Sequence, residues 1–143
     1  MRIEELVDKK VKKVGHAADM FWMVFVDESS VEYPLHLQCP FRISKGESIF
    51  ITNEDIFDEY ECMPDLLMKT NSLLGGKRVL SATMNSLKDL VINFEDGYVL
   101  QVFNNSRSDE EDIEMWRFFE RSKELRDHRP HLVVCSDHVE NLE

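Results

Sequence analysis

Met20-Phe-Trp-Met-Val-Phe-Val26 is apolar at every position. Both parities are hydrophobic, so a strand here would be covered on both faces and belong inside a sheet. From Leu35 onward the pattern alternates: Leu35, Leu37, Cys39, Phe41 and Ile43 against His36, Gln38, Pro40 and Arg42. A period of two predicts a half-buried strand over 35–43, its polar row facing away from the core. Pro40 has no N–H to give to a ladder, so this strand should bend or lie at an edge there. Ser48–Thr52 predicts another short strand after the Lys45-Gly46 turn.

Residues 63–76 then predict a helix. Pro64 suits its first position, Gly75 its left-handed stop, and Leu66, Leu67, Leu73 and Leu74 its inward side. Residues 79–84 predict a strand, and 89–103 a hairpin with two competing registers. A two-residue Asp96-Gly97 turn would mix polar and apolar residues on both faces. A three-residue Glu95-Asp96-Gly97 loop, with Gly97 left-handed after a type I turn, sets Leu90, Ile92 and Phe94 beside Tyr98, Leu100 and Val102. That second register is preferred, because a slip of one residue moves every side chain to the other face.

Ser108-Asp-Glu-Glu111 reads as a capping box opening a helix over 108–126. Acids fill its first turns and Arg117, Arg121, Lys123 and Arg126 its later ones, as the helix dipole favours. Met115, Phe118, Phe119 and Leu125 would share its inner face, with Trp116 on the flank. His131–Cys135 predicts a last strand, and a short helix or strand is expected before Met20. The expected architecture is α+β: a curved, mainly antiparallel sheet with one or two helices packed on it, in a single domain of residues 1–143.

Composition supports a globular core: hydrophobic residues are 43% of 143, including nine Phe. Charge changes the picture more. The formal net charge of −11 repels phosphate backbones and anionic headgroups, so neither nucleic acid nor a membrane is expected as a partner. Residues 27–65 hold ten acidic and two basic side chains, and residues 108–143 hold eleven and five. The rest of the chain is nearly neutral. Capping and dipole account for the second acidic segment; the first has no such explanation. Within it, residues 53–61 carry five carboxylates interleaved with aromatic and aliphatic side chains. They lack the glycine and ligand spacing of a calcium loop. An acidic, aromatic-bearing docking surface made of Glu54, Asp55, Phe57, Asp58, Glu59 and Tyr60 is the functional alternative to a solvated loop.

Catalytic signatures are missing: there is no phosphate-cradling glycine loop, no Gly-x-Ser-x-Gly and no His-Glu-x-x-His. His36-Leu-Gln-Cys39 and Cys135-Ser-Asp-His138 have zinc-like gaps. Residues three apart on a strand point to opposite faces, however, so no metal and no cofactor is expected. His36, Gln38 and Arg42, joined by His16 and Asp19, form a polar row that would line a small anionic-ligand pocket or a general-base site on a concave sheet. Three widely spaced cysteines make no disulfide framework, the N-terminus lacks signal-peptide order, and no apolar run reaches the ~20 residues of a membrane helix. A reduced cytoplasmic setting is expected.

Ala18-Asp-Met-Phe-Trp22, residues 35–43, Gly97-Tyr-Val-Leu-Gln-Val-Phe103, Met115-Trp-Arg-Phe-Phe119 and His131-Leu-Val-Val134 in this order resemble a group of small bacterial proteins with no assigned activity. The resemblance implies one compact domain and a bacterial origin, and supplies no catalytic residue. The expected function is a non-enzymatic interaction module that binds a basic protein, as immunity proteins and antitoxins do. The alternative is a small-ligand-binding domain or an enzyme built on the polar row. A homodimer joined through sheet edges is compatible with either.

Overall fold

Eleven short strands pair only in antiparallel fashion among the described residues, in two sheets. The computed structural model describes residues 1–57, 63–111, 113–121 and 131–142. A 3-10 turn at Ile3–Leu6 leads into β1 (Lys10–Ala17), β2 (Met20–Val26) and β3 (Glu32–Leu37). The chain continues through β4 (Phe41–Lys45), β5 (Ser48–Thr52), the single turn α1 (Glu54–Phe57) and α2 (Met63–Leu74). Then follow β6 (Val79–Met84), β7 (Leu90–Phe94), β8 (Tyr98–Val102), β9 (Glu114–Phe119), β10 (His131–Cys135) and β11 (Val139–Leu142). One sheet has the order β1-β2-β3-β9-β10-β11, the other β5-β4-β8-β7-β6.

The core lies between the sheets. Phe21, Met23 and Phe25 of β2, Leu35 and Leu37 of β3, and Trp116 and Phe118 of β9 are buried to 1% exposure or less. Opposite them, Phe21 stacks on Phe41 of β4 at 4.5 Å between ring centroids, and Phe25 lies parallel to Phe94 of β7 at 6.3 Å. Each such side chain contributes about 1.5–3 kcal/mol on burial. The fold is the expected α+β, mainly antiparallel with two helices packed beside the strands, but its strands are divided between two sheets.

Pro40 accounts for that division. The expected strand over 35–43 is instead two strands, because β3 stops at Leu37 and β4 begins at Phe41 in the other sheet. Without an N–H at Pro40 the first ladder cannot continue. The polar row expected along it is broken at the same point.

The second correction concerns 108–126. The segment Glu114–Phe119 is a strand, not helix, with Met115, Trp116, Phe118 and Phe119 all buried. Local capping signals yield to aromatic side chains that pair on both sides, with β3 and with β10. Three of the acids expected to complement a helix dipole pair locally instead: Asp109 and Glu110 sit by Arg107, and Glu114 binds Arg117. Leu125, Lys123 and Arg126 lie outside the described residues.

Two local expectations hold with adjustments. The hairpin takes the three-residue register, Leu90 opposite Val102 and Ile92 opposite Leu100. Its turn places both Asp96 (φ 62°) and Gly97 (φ 81°) in the left-handed region, with the Asp96 carboxylate accepting from Lys77. Helix α2 ends as foreseen, except that Gly76 (φ 80°) and not Gly75 is the left-handed residue.

Gly15 has a packing role. A Cβ there would come within 2.7 Å of Cε2 and Cη2 of Trp22, its cross-strand neighbour, and closer still to Cζ2. Gly15→Ala must therefore push the indole off β1, and we expect a loss of about 1–3 kcal/mol in denaturant unfolding. An unchanged midpoint would show that the Trp22 ring does not rest on Gly15.

Candidate functional site

The outward face of the six-stranded sheet carries a polar cluster around His36. Antiparallel register sets Trp22 beside His36, His36 beside Arg117 and Arg117 beside Val133, in a row across β2, β3, β9 and β10. One step along, Phe119 pairs with His131. A cavity of about 520 Å³ opens here, lined by His36, Gln38, Glu114, Arg117, Phe119 and His131.

Arg117 is held from one side. Its Nε donates to both Glu114 carboxylate oxygens at 3.1 and 3.2 Å, and Nη2 donates to Oε1. Glu114 Oε2 also accepts from the Gln38 side-chain amide at 2.9 Å, while the Gln38 backbone N–H donates to the Met115 carbonyl. This pairing holds the Arg117 guanidinium above its ordinary range. Its remaining Nη1 lies 3.4 Å from Nδ1 of His131. Since a guanidinium only donates, Nδ1 is the acceptor in that contact.

The aromatic part of the cluster is Phe119, stacked on His131 at 4.8 Å and met edge-on by His36 at 5.0 Å. Burial, reinforced by nearby Arg117, Arg121 and His131 and opposed by Glu114, holds the His36 imidazole below its usual range. Among the described residues, neither ring nitrogen of His36 has a hydrogen-bond partner.

Of the five residues expected in one polar row, the structure brings only His36 and Gln38 together. Arg42 lies in the other sheet, where its Nε donates to Gln101 at 2.7 Å and its guanidinium covers the Phe103 ring at 5.2 Å. It borders a smaller hollow of about 260 Å³ with Pro40, Ile49 and Glu54. His16 and Asp19 sit exposed at the β1–β2 turn, and His16 Nδ1 bonds the Ala18 carbonyl at 2.9 Å instead of Asp19. Glu114, Arg117 and Phe119 escaped the sequence reading because 108–126 read as helix, and His131, at the start of the expected strand 131–135, had no visible partner there. The β-forming run Met-Trp-Arg-Phe-Phe was the signal available.

Of the zinc-like pairs, His36 and Cys39 lie on opposite sides of the chain. Cys39 is buried in the core and its thiol is pushed up to about 12 by burial, while His36 faces outward. His138 is bracketed by Asp137 at 2.6 Å and Glu140 at 2.9 Å.

The acidic stretch begins on α1. Glu54 is exposed, and the Asp55 carboxylate accepts from the Thr52 backbone N–H at 2.8 Å, a capping role. Phe57 closes this turn; Asp58, Glu59 and Tyr60 lie outside the described residues. Among the described residues, every salt bridge draws its carboxylate from before Tyr33 or after Phe94. Glu47, Glu54 and Asp65 are exposed and have no cation within salt-bridge distance.

Comparison of the chain with protein-family models, with curated proteins and with solved structures found no match in any of the three.

Proposed function

We propose that this protein is a non-enzymatic cytoplasmic interaction module of bacterial origin that binds a basic protein partner through the acidic stretch around α1. The observation that carries this reading is that the exposed acids near α1, in the most acidic segment of the chain, are not engaged in ion pairs. Among the described residues Glu47, Glu54 and Asp65 keep their charge uncompensated, as Asp19, Glu28 and Glu111 do elsewhere, whereas Glu32 of the same acidic segment pairs with Lys12 and Arg121. A cationic surface approaching this side meets carboxylates that need not first break an internal pair. The exposed Ile49 and the hollow beside Glu54 add apolar area next to the charge, the combination found at recognition surfaces. The buried Cys39, which forms no disulfide, suits a reducing cytoplasm. Among the described residues no helix is long and apolar enough to cross a membrane.

The test uses the full chain as bait at low and physiological salt, with captured proteins identified by mass spectrometry. Beside it runs a variant with Glu54→Lys, Asp58→Lys and Glu59→Lys; Asp55 is spared because it caps Thr52. The expected result is one basic protein retained in stoichiometric amount by the native chain and lost by the variant. Absence of a cationic partner, or equal retention by the variant, would refute the reading.

A further inference from the structure

The cluster on the outward face of the six-stranded sheet lies apart from α1, and its chemistry differs. We propose that the cavity between His36, Arg117 and His131 binds a small oxyanion, the carboxylate or phosphate group of a metabolite-sized ligand. Arg117 Nη1 and the His36 imidazole would be its donors. This inference does not depend on the interaction reading.

Three observations lead to it. First, His36 is half-buried at a cavity wall, yet neither ring nitrogen has a hydrogen-bond partner among the described residues. Polar groups removed from water are normally satisfied, so an uncommitted imidazole in a cavity marks a place for a ligand. Second, Arg117 is oriented by Glu114 through Nε and Nη2, which leaves Nη1 directed at the same cavity with only the long 3.4 Å contact to His131. A preset guanidinium edge suits an oxyanion. Third, two guanidinium groups lie close enough to act on His36. Arg117 and Arg121 of the β9 segment act on it as cations, each also bound to a carboxylate, Glu114 and Glu32 respectively. In a chain of net charge −11 two neighbouring guanidinium groups set this face apart from the acidic surface around α1.

The same groups fix the pH dependence. An anion beside His36 favours the imidazolium that Arg117, Arg121 and burial disfavour in the free protein. Binding therefore takes up a proton, and affinity should rise as pH falls from about 8 to about 6.

The experiment is an NMR titration of the histidine ring signals of the full chain with sodium phosphate and, separately, sodium acetate at constant ionic strength. It is repeated on His36→Gln and Arg117→Lys, each checked for an unchanged thermal midpoint. We expect saturable shifts at His36 and His131 with a dissociation constant of about 1 mM or below, and at least about a fivefold weakening in His36→Gln. Saturation by either salt supports the site, and the salt that saturates it decides between a phosphate and a carboxylate ligand. No saturable shift at His36, shifts shared equally by His16 and His138, or undiminished binding by His36→Gln would overturn the proposal.

Discussion

Trp116→Ala is expected to lower the unfolding free energy by about 3–5 kcal/mol, the range for truncating a buried Trp. Trp116 is fully buried and sits in the core-facing row of β9, between Leu37 of β3 and Val134 of β10. Its indole Nε1 also donates to the Lys88 carbonyl at 3.2 Å, tying the six-stranded sheet to the β6–β7 turn of the other. Truncation removes the ring and orphans that carbonyl. Domains of this kind have about 5–15 kcal/mol in total, so the variant should be close to unfolded at moderate temperature. Trp116→Phe keeps most of the volume and loses mainly the hydrogen bond, with an expected cost of about 1–2 kcal/mol. Urea unfolding measures both. A cost of under about 1 kcal/mol for the alanine variant would place Trp116 on an exposed helix flank, and β9 would be wrong.

Asn71→Ala should cost about 2–4 kcal/mol, because two buried backbone groups lose their partner. Asn71 projects from α2 to the edge strand β1, where its Oδ1 accepts from the Val14 N–H at 2.8 Å and its Nδ2 donates to the Val14 carbonyl at 3.1 Å. The side chain thus stands in for a neighbouring strand. Val14 is 1% exposed, so water is poorly placed to replace it. Beyond Asn71, the same edge is closed by Val11 bonding Lys77 and Gly76. Removing the amide should open this edge to pairing with another copy, visible in amide exchange at Val14 and in a tendency to associate. Exchange at Val14 as slow as in the native chain would show that the edge is held by packing alone.

Legibility in the sequence followed the range of the interaction. β2, the β7–β8 hairpin, α2 and β10 were readable because apolar periodicity, turn residues and helix stops lie within a dozen residues of one another. β9 was not: its capping box is a strong local signal, and what overrides it is pairing with β3, which no local pattern encodes. The candidate cavity divides the same way. His36 and Gln38 stood out as polar positions beside core residues, but Glu114 reaches Gln38 across 76 residues of chain. Arg42 shared their parity in the sequence and was lost to the site when Pro40 sent the chain into the second sheet. The acidic stretch was legible as composition; that its described acids lack internal cations became visible only once the ion pairs elsewhere were placed.

Whether the acids around α1 recruit a basic protein is tested most directly by the association rate of that captured partner as a function of ionic strength. For the native chain the rate should fall steeply with salt. The Glu54→Lys, Asp58→Lys, Glu59→Lys variant should associate about 10–100-fold more slowly at low salt. An association rate insensitive both to salt and to the reversed charges would contradict the account.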